Sequence, residues 1–88
     1  MMTFTKANGQ FSETAIDDEI VVMSLDTGTF FSLSGTGRSI WELLDRHTDR
    51  PGLLTAVALA YGTDETTIAA ELDEFLASLS VAGLVVCA

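Results

Sequence analysis

Basic residues are scarce in this chain. Four Lys and Arg stand against 13 Asp and Glu over 88 residues, a formal net charge of −9. Such a surface repels phosphate backbones and anionic lipid headgroups, because both need Lys or Arg to neutralise them. It excludes nucleic acid and the membrane surface as partners, suits a basic or neutral one, and aids solubility. Cysteine is rarer still. Cys87 is alone, so there is no internal disulfide, and with His47 the only histidine there is no Cys/His cluster for zinc. No apolar run approaches the roughly 20 residues of a membrane-spanning helix. The N-terminal stretch MMTFTKANGQF lacks the basic start and apolar centre of a signal peptide. These absences together point to the cytoplasm.

What is present is apolar. Hydrophobic residues make up 48% of the chain, enough for one modest core, and the length predicts a single domain over residues 1–88. A domain this size buries only roughly 60–65% of its unfolded surface, so a surface groove is a better place for function than a deep internal site. Met1 to Gly9 is mixed and polar and reads as a loosely held segment.

The pattern then predicts strands and helices in turn. A short strand over Gln10 to Glu13 and a turn over Thr14 to Asp18 precede the β-branched strand Glu19 to Leu25. Asp26-Thr27-Gly28 is a hairpin loop, with Gly28 in the left-handed conformation, and Thr29 to Leu33 is the next strand. Beyond it the period becomes helical. Ser34 reads as the N-cap of a helix over Thr36 to Asp45, with Ile40, Trp41 and Leu44 on one face. Thr48-Asp49-Arg50-Pro51 starts a second helix that carries Leu53, Leu54, Val57 and Tyr61 and closes at Gly62. Thr63 or Asp64 caps a third, with Ile68, Leu72, Phe75, Leu76 and Leu79 along one side to Gly83. Leu84 to Val86 is an apolar tail and a possible strand. The expected fold is α+β: a small winged helix-turn-helix-like domain, with a three-stranded antiparallel sheet followed by three helices.

Several residues raise chemistry that the rest of the chain does not support. Asp26-Thr27-Gly28 is the tripeptide of aspartic proteases, and a homodimer would supply two such carboxylates. That fold is almost wholly β, whereas the chain from Ser34 on is helical, so a dimeric protease using Asp26 is the lesser alternative to a tight turn. His47 lies in a connection between helices, with no Ser or Cys nucleophile to serve. Cys87 sits beside the C-terminus. Gly35 and Gly37 in SGTGRSIW lack the spacing and the lysine of a phosphate-binding loop and read as a flexible helix entrance. No catalytic residue, cofactor site or metal site is expected. The third helix contains no Lys or Arg, which removes it as a DNA-reading helix.

The strand Thr29, Phe30, Phe31, Ser32, Leu33 is different. In a sheet of this order it lies at an edge, and an apolar edge strand is ordinarily blunted by Lys, Pro or a bulge. TFFSL has none of these. The pattern leaves two readings open: an unprotected edge, or a place where an extended peptide adds as a strand.

The order VVMSLDTGTFFSLSGTGRSIWELLD, then a helix ending AYG, then IAAELDEFLASLSVAGLV resembles the PqqD-like family, the RiPP recognition elements. The similarity runs from about Glu19 to Val86 and is best at Trp41-Glu42-Leu43-Leu44 and Ala82-Gly83-Leu84-Val85. Ser34 stands where the family often has Asn, and Glu71 where it often has Asp. The resemblance implies a non-catalytic protein that captures the leader of a ribosomally made precursor peptide as an added strand. It would present that leader to a partner leader peptidase or maturase, as the small partner of a split lasso-peptide leader peptidase or of a radical-SAM maturase does. Carried onto this chain, Thr29 to Leu33 would supply backbone pairing and the last helix the opposite wall. Ile68, Leu72 and Leu76 would be its apolar contacts, with Asp73 or Glu71 the partner of a basic leader residue. A structural subunit that binds a protein without capturing a peptide is the remaining alternative.

Overall fold

The computed structural model describes residues 3–88. Its elements are β1 (Phe4–Lys6), β2 (Phe11–Ile16), β3 (Glu19–Ser24), β4 (Phe30–Leu33), α1 (Gly35–Leu43), α2 (Arg50–Tyr61), α3 (Glu65–Val81) and β5 (Val85–Cys87). Met1 and Met2, part of the segment expected to be loose, lie outside the described residues.

The β-branched run of β3 forms the centre of a three-stranded antiparallel sheet in the order β2-β3-β4. Ile16 pairs with Glu19, so Asp17 and Asp18 are the whole of the first hairpin loop. A two-residue loop of this kind demands positive φ, and Asp17, at φ 52°, is a residue type that tolerates it. Strand β2 therefore runs on to Ile16, past the Glu13 expected from the sequence. In the second hairpin Gly28 takes φ 75° and its N–H donates to the Ser24 carbonyl at 2.8 Å, as the Asp-Thr-Gly turn requires.

Three helices follow, each from the start expected or one residue beside it. Asp49 caps α2 by accepting from the Gly52 N–H at 3.0 Å, with Pro51 in the first turn, and Gly62 closes the helix at φ 61°. Asp64 caps α3, accepting from both the N–H and the hydroxyl of Thr67 at 2.8 Å. Ser34 occupies the N-cap position of α1, but its side chain makes no capping bond. Gly37 is not the flexible helix entrance that the sequence suggests. A Cβ there would stand 3.2 Å from the Phe75 ring, so its bareness lets the start of α1 sit directly on α3.

One side of the sheet and the inner faces of the helices share a core. Ile20, Val22, Leu33, Ile40, Trp41, Leu53, Val57, Leu72, Leu76 and Leu84 are all buried in it.

The N-terminal segment departs from the expectation of a loose end. Phe4–Lys6 pairs antiparallel with β5 as a second, two-stranded sheet, with Phe4 opposite Cys87 and Lys6 opposite Val85. Phe4 is buried in the core. Lys6 is buried as well: its Nζ lies 4.3 Å from the centre of the Trp41 ring and 3.0 Å from Asp45 Oδ1. Trp41 is gripped from two more directions, by the edge of Phe11 at 5.1 Å between ring centroids and by the Glu13 carboxylate, which accepts from its Nε1–H. One indole thus joins β1, β2 and α1.

Candidate functional site

Among the described residues, strand β4 pairs with β3 on one side and with no strand on the other. The phase of the ladder decides what the open side offers. The Ser24 N–H donates to the Thr29 carbonyl at 2.9 Å. In an antiparallel pair the bonded positions alternate, so Phe31 and Leu33 turn their main-chain groups toward β3. Phe30 and Ser32 then turn their N–H and C=O groups outward. Thr29 precedes the strand rather than opening it, and its N–H is engaged by the Thr27 hydroxyl at 3.2 Å. The free edge is thus shorter than the five residues expected.

Side chains alternate the other way. Leu33 is buried and Phe31 half-buried on the core side, whereas Phe30 is 68% exposed and Ser32 is exposed on the outer side. Strand β2 is also an edge, so an open edge alone does not single out β4. The helix beside it does. Phe31, Ala77, Ser78, Val81 and Ala82 line an apolar groove of about 510 Å³ between β4 and the C-terminal half of α3. A hollow of about 560 Å³ lined by Ser39, Glu42, Leu43, Asp45, Arg46 and Ala60 is larger, but none of its residues belongs to a strand edge.

The residues expected to form the helical wall fall in three places. Ile68, Leu72 and Leu76, expected as its apolar contacts, are buried in the core and are not among the residues that line the groove. They recur every four residues and, with Leu79, form the stripe on which α3 is seated. Asp73 is engaged by Arg50 through two bonds, Nε to Oδ1 at 2.7 Å and Nη2 to Oδ2 at 2.9 Å. That hydrogen-bonded guanidinium holds the Asp73 carboxyl below the usual carboxylate range, and the carboxylate raises Arg50 in turn. Glu71 is exposed and unpaired among the described residues. It shares a helical face with the groove: positions 71, 74, 78 and 81, spaced by three and four, form one stripe. Asp73 lies off that stripe, on the side of α2.

Sequence reasoning missed the groove residues Ala77, Ser78, Val81 and Ala82. The available signal was their size. Three small residues and an exposed Val on a helix flank suit a surface that something else covers.

The other candidates stay structural. Asp26 is exposed in the hairpin loop with no second carboxylate bonded to it among the described residues. His47 is half-buried, its N–H donating to the Leu43 carbonyl at 2.9 Å. Cys87 is an exposed free thiol on β5. No group of three or more His, Cys, Asp or Glu among the described residues is arranged to hold a metal. No described helix is long and apolar enough to cross a membrane.

Comparison with known proteins bears on this edge and groove. Residues 19–85 match the family model for coenzyme PQQ synthesis protein D (PqqD). Among solved structures, the chain is similar to TbiB1 in complex with the TbiA(beta) leader peptide. The identity is 31% and the TM-score 0.82, over 92% of this chain and 93% of that one. A search of the curated proteins finds no match.

Proposed function

The chain belongs to the PqqD family of RiPP recognition elements, and from that premise we propose that it binds a precursor's leader segment as a strand beside β4. It is a leader-peptide-binding protein and not an enzyme. The whole chain, residues 1–88, acts as one recognition domain. In this reading it works in the cytoplasm of a lasso-peptide pathway and presents the leader to a partner leader peptidase or other maturation enzyme. The hairpin and three helices serve as a winged helix-turn-helix adapted to peptide.

The observation that carries the reading is the open edge of β4 with an apolar groove directly beside it. An incoming strand would exchange main-chain bonds with Phe30 and Ser32. Every second side chain would then point between Phe31 and the Ala77, Ser78, Val81, Ala82 face of α3. Main-chain bonds set the register without reading sequence, and the groove selects an apolar anchor. A few buried anchors are enough for sub-micromolar affinity.

The test follows from the phase of the ladder. Ser32→Pro removes an N–H that points outward and spares the bonds to β3, as proline on an edge strand can. Ala15→Pro does the same on the open edge of β2. Leader peptide from the precursor encoded beside this gene, labelled and titrated by fluorescence anisotropy, should bind Ala15→Pro as it binds the parent. Ser32→Pro should weaken it by about tenfold or more. Unchanged binding by Ser32→Pro, with helix content intact, would overturn strand addition at β4. A transglutaminase-like peptidase and an asparagine-synthetase-like cyclase encoded beside that precursor would fix the lasso assignment.

A further inference from the structure

The end of α3 carries the groove but little of the helix's own anchorage. Leu79 is the last residue of its buried stripe, whereas the groove residues Ala77, Ser78, Val81 and Ala82 run on past it. No basic side chain in the last turn steadies the carbonyl end. What closes the helix is the chain that follows. Gly83, at φ 78°, donates its N–H to the Ser80 carbonyl at 3.1 Å and aims the Leu84 N–H at the Leu79 carbonyl, 3.0 Å away.

These closing residues lead directly into β5, and among the described residues β5 has no strand partner but β1. Ala7 donates its N–H to the Leu84 carbonyl at 2.9 Å, and Thr3 and Ala88 exchange bonds of 2.8 and 2.9 Å. The alternation of the ladder makes Thr5 and Val86 the bonded pair between them. Strand β1 is held in turn by Phe4 in the core and by Lys6 against Trp41 and Asp45. The Phe4 N–H adds a bond to the Thr48 carbonyl at 2.6 Å. A line of contacts thus runs from the first strand, through β5, to the helix end that walls the groove.

We propose that β1 is a positioning element for the groove: docked, it keeps α3 wound to its end, and released, it lets the last turn fray and the wall dissolve. Phe4, Thr5 and Lys6 do not line the groove and act on it through β5. The inference rests on the strand-addition reading above and adds to it a control from the N-terminal strand. By linkage, releasing β1 weakens the peptide, and bound peptide makes β1 harder to release.

Thr5→Pro tests it, because it removes a ladder bond to β5 from an exposed position and leaves every core side chain in place. Val57→Ala, which truncates a buried side chain on α2, is the control for lost stability alone. Hydrogen exchange should quicken over residues 81–87 in Thr5→Pro and stay unchanged in the first turns of α3. The labelled leader peptide used above should bind Thr5→Pro about fivefold or more weakly, the low end of coupling between sites. It should bind Val57→Ala as it binds the parent. Phe4→Leu, which keeps an apolar anchor in the core, should retain most of the affinity that Phe4→Ala loses. Unchanged exchange over residues 81–84, or full affinity in Thr5→Pro, overturns the proposal. Equal weakening in Val57→Ala does the same, since stability alone would then explain the loss. If Ser32→Pro still weakens the peptide in those cases, strand addition survives and only the positioning role fails. No binding by the parent, or a peptide indifferent to Ser32→Pro, sinks both.

Discussion

Asp64, Asp73 and Glu74 look alike in the sequence and occupy three different electrostatic situations within ten residues. Asp64 caps α3, and its bonds from Thr67 hold its carboxyl below the ordinary value. Asp73 is lowered by Arg50. Glu74 is exposed and has no ion-pair partner among the described residues. For the first two, a folded-state pKa below the unfolded value means that the contribution is present above about pH 4 and is lost as pH falls through the folded pKa. Asp73→Asn should therefore cost at most about 1 kcal/mol at pH 7, since the pair is largely exposed. The gap between variant and parent should close toward pH 3. Urea midpoints at the two pH values check this, and a gap that widens in acid would contradict the assignment. Asp26→Asn should change neither stability nor peptide affinity, because a loop Asn serves the turn as Asp does.

At the scale of the elements, what the sequence disclosed and what it hid separate by distance along the chain. The β3–β4 hairpin is announced locally by Asp-Thr-Gly, α2 by Asp49 with Pro51 and Gly62, α3 by Asp64, and α1 by the spacing of Ile40, Trp41 and Leu44. Strand β1 is not, because its partner lies at the other end of the chain and three residues are too few to show a period. The seat of α3 was half legible. Its apolar residues were identified, but an apolar stripe does not say whether it faces a core or a groove. Only the packing, which buries Leu72 and Leu76 and leaves Ser78 and Val81 at the surface, distinguishes the two. Phe4→Ala should cost about 3 kcal/mol, the lower end for a buried Phe, and thermal unfolding would register it as a large drop in midpoint. A loosely held N-terminus would give almost none.

Taken whole, the molecule is a strongly acidic body with one unprotected apolar edge beside a helix. A uniform negative field speeds the approach of a basic segment and slows that of an acidic one, and salt reduces both effects. Association rates with a cationic peptide should fall as ionic strength rises, because the net charge of −9 is screened by salt. The dissociation rate should change much less. Stopped-flow measurement at several salt concentrations reads both quantities. A salt response confined to dissociation would mean that the bulk charge plays no part in capture.

Trp41 brings a practical consequence. It is the chain's only tryptophan, and it has no exposed surface. Lys6, Phe11 and Glu13 press on it, and none of these three lines the groove beside β4. Its emission is therefore an optical gauge of whether the first strand is docked, and it is blind to the groove. A titration that follows intrinsic fluorescence would return a flat line while peptide fills the edge. The same signal would move sharply when the ends of the chain come apart.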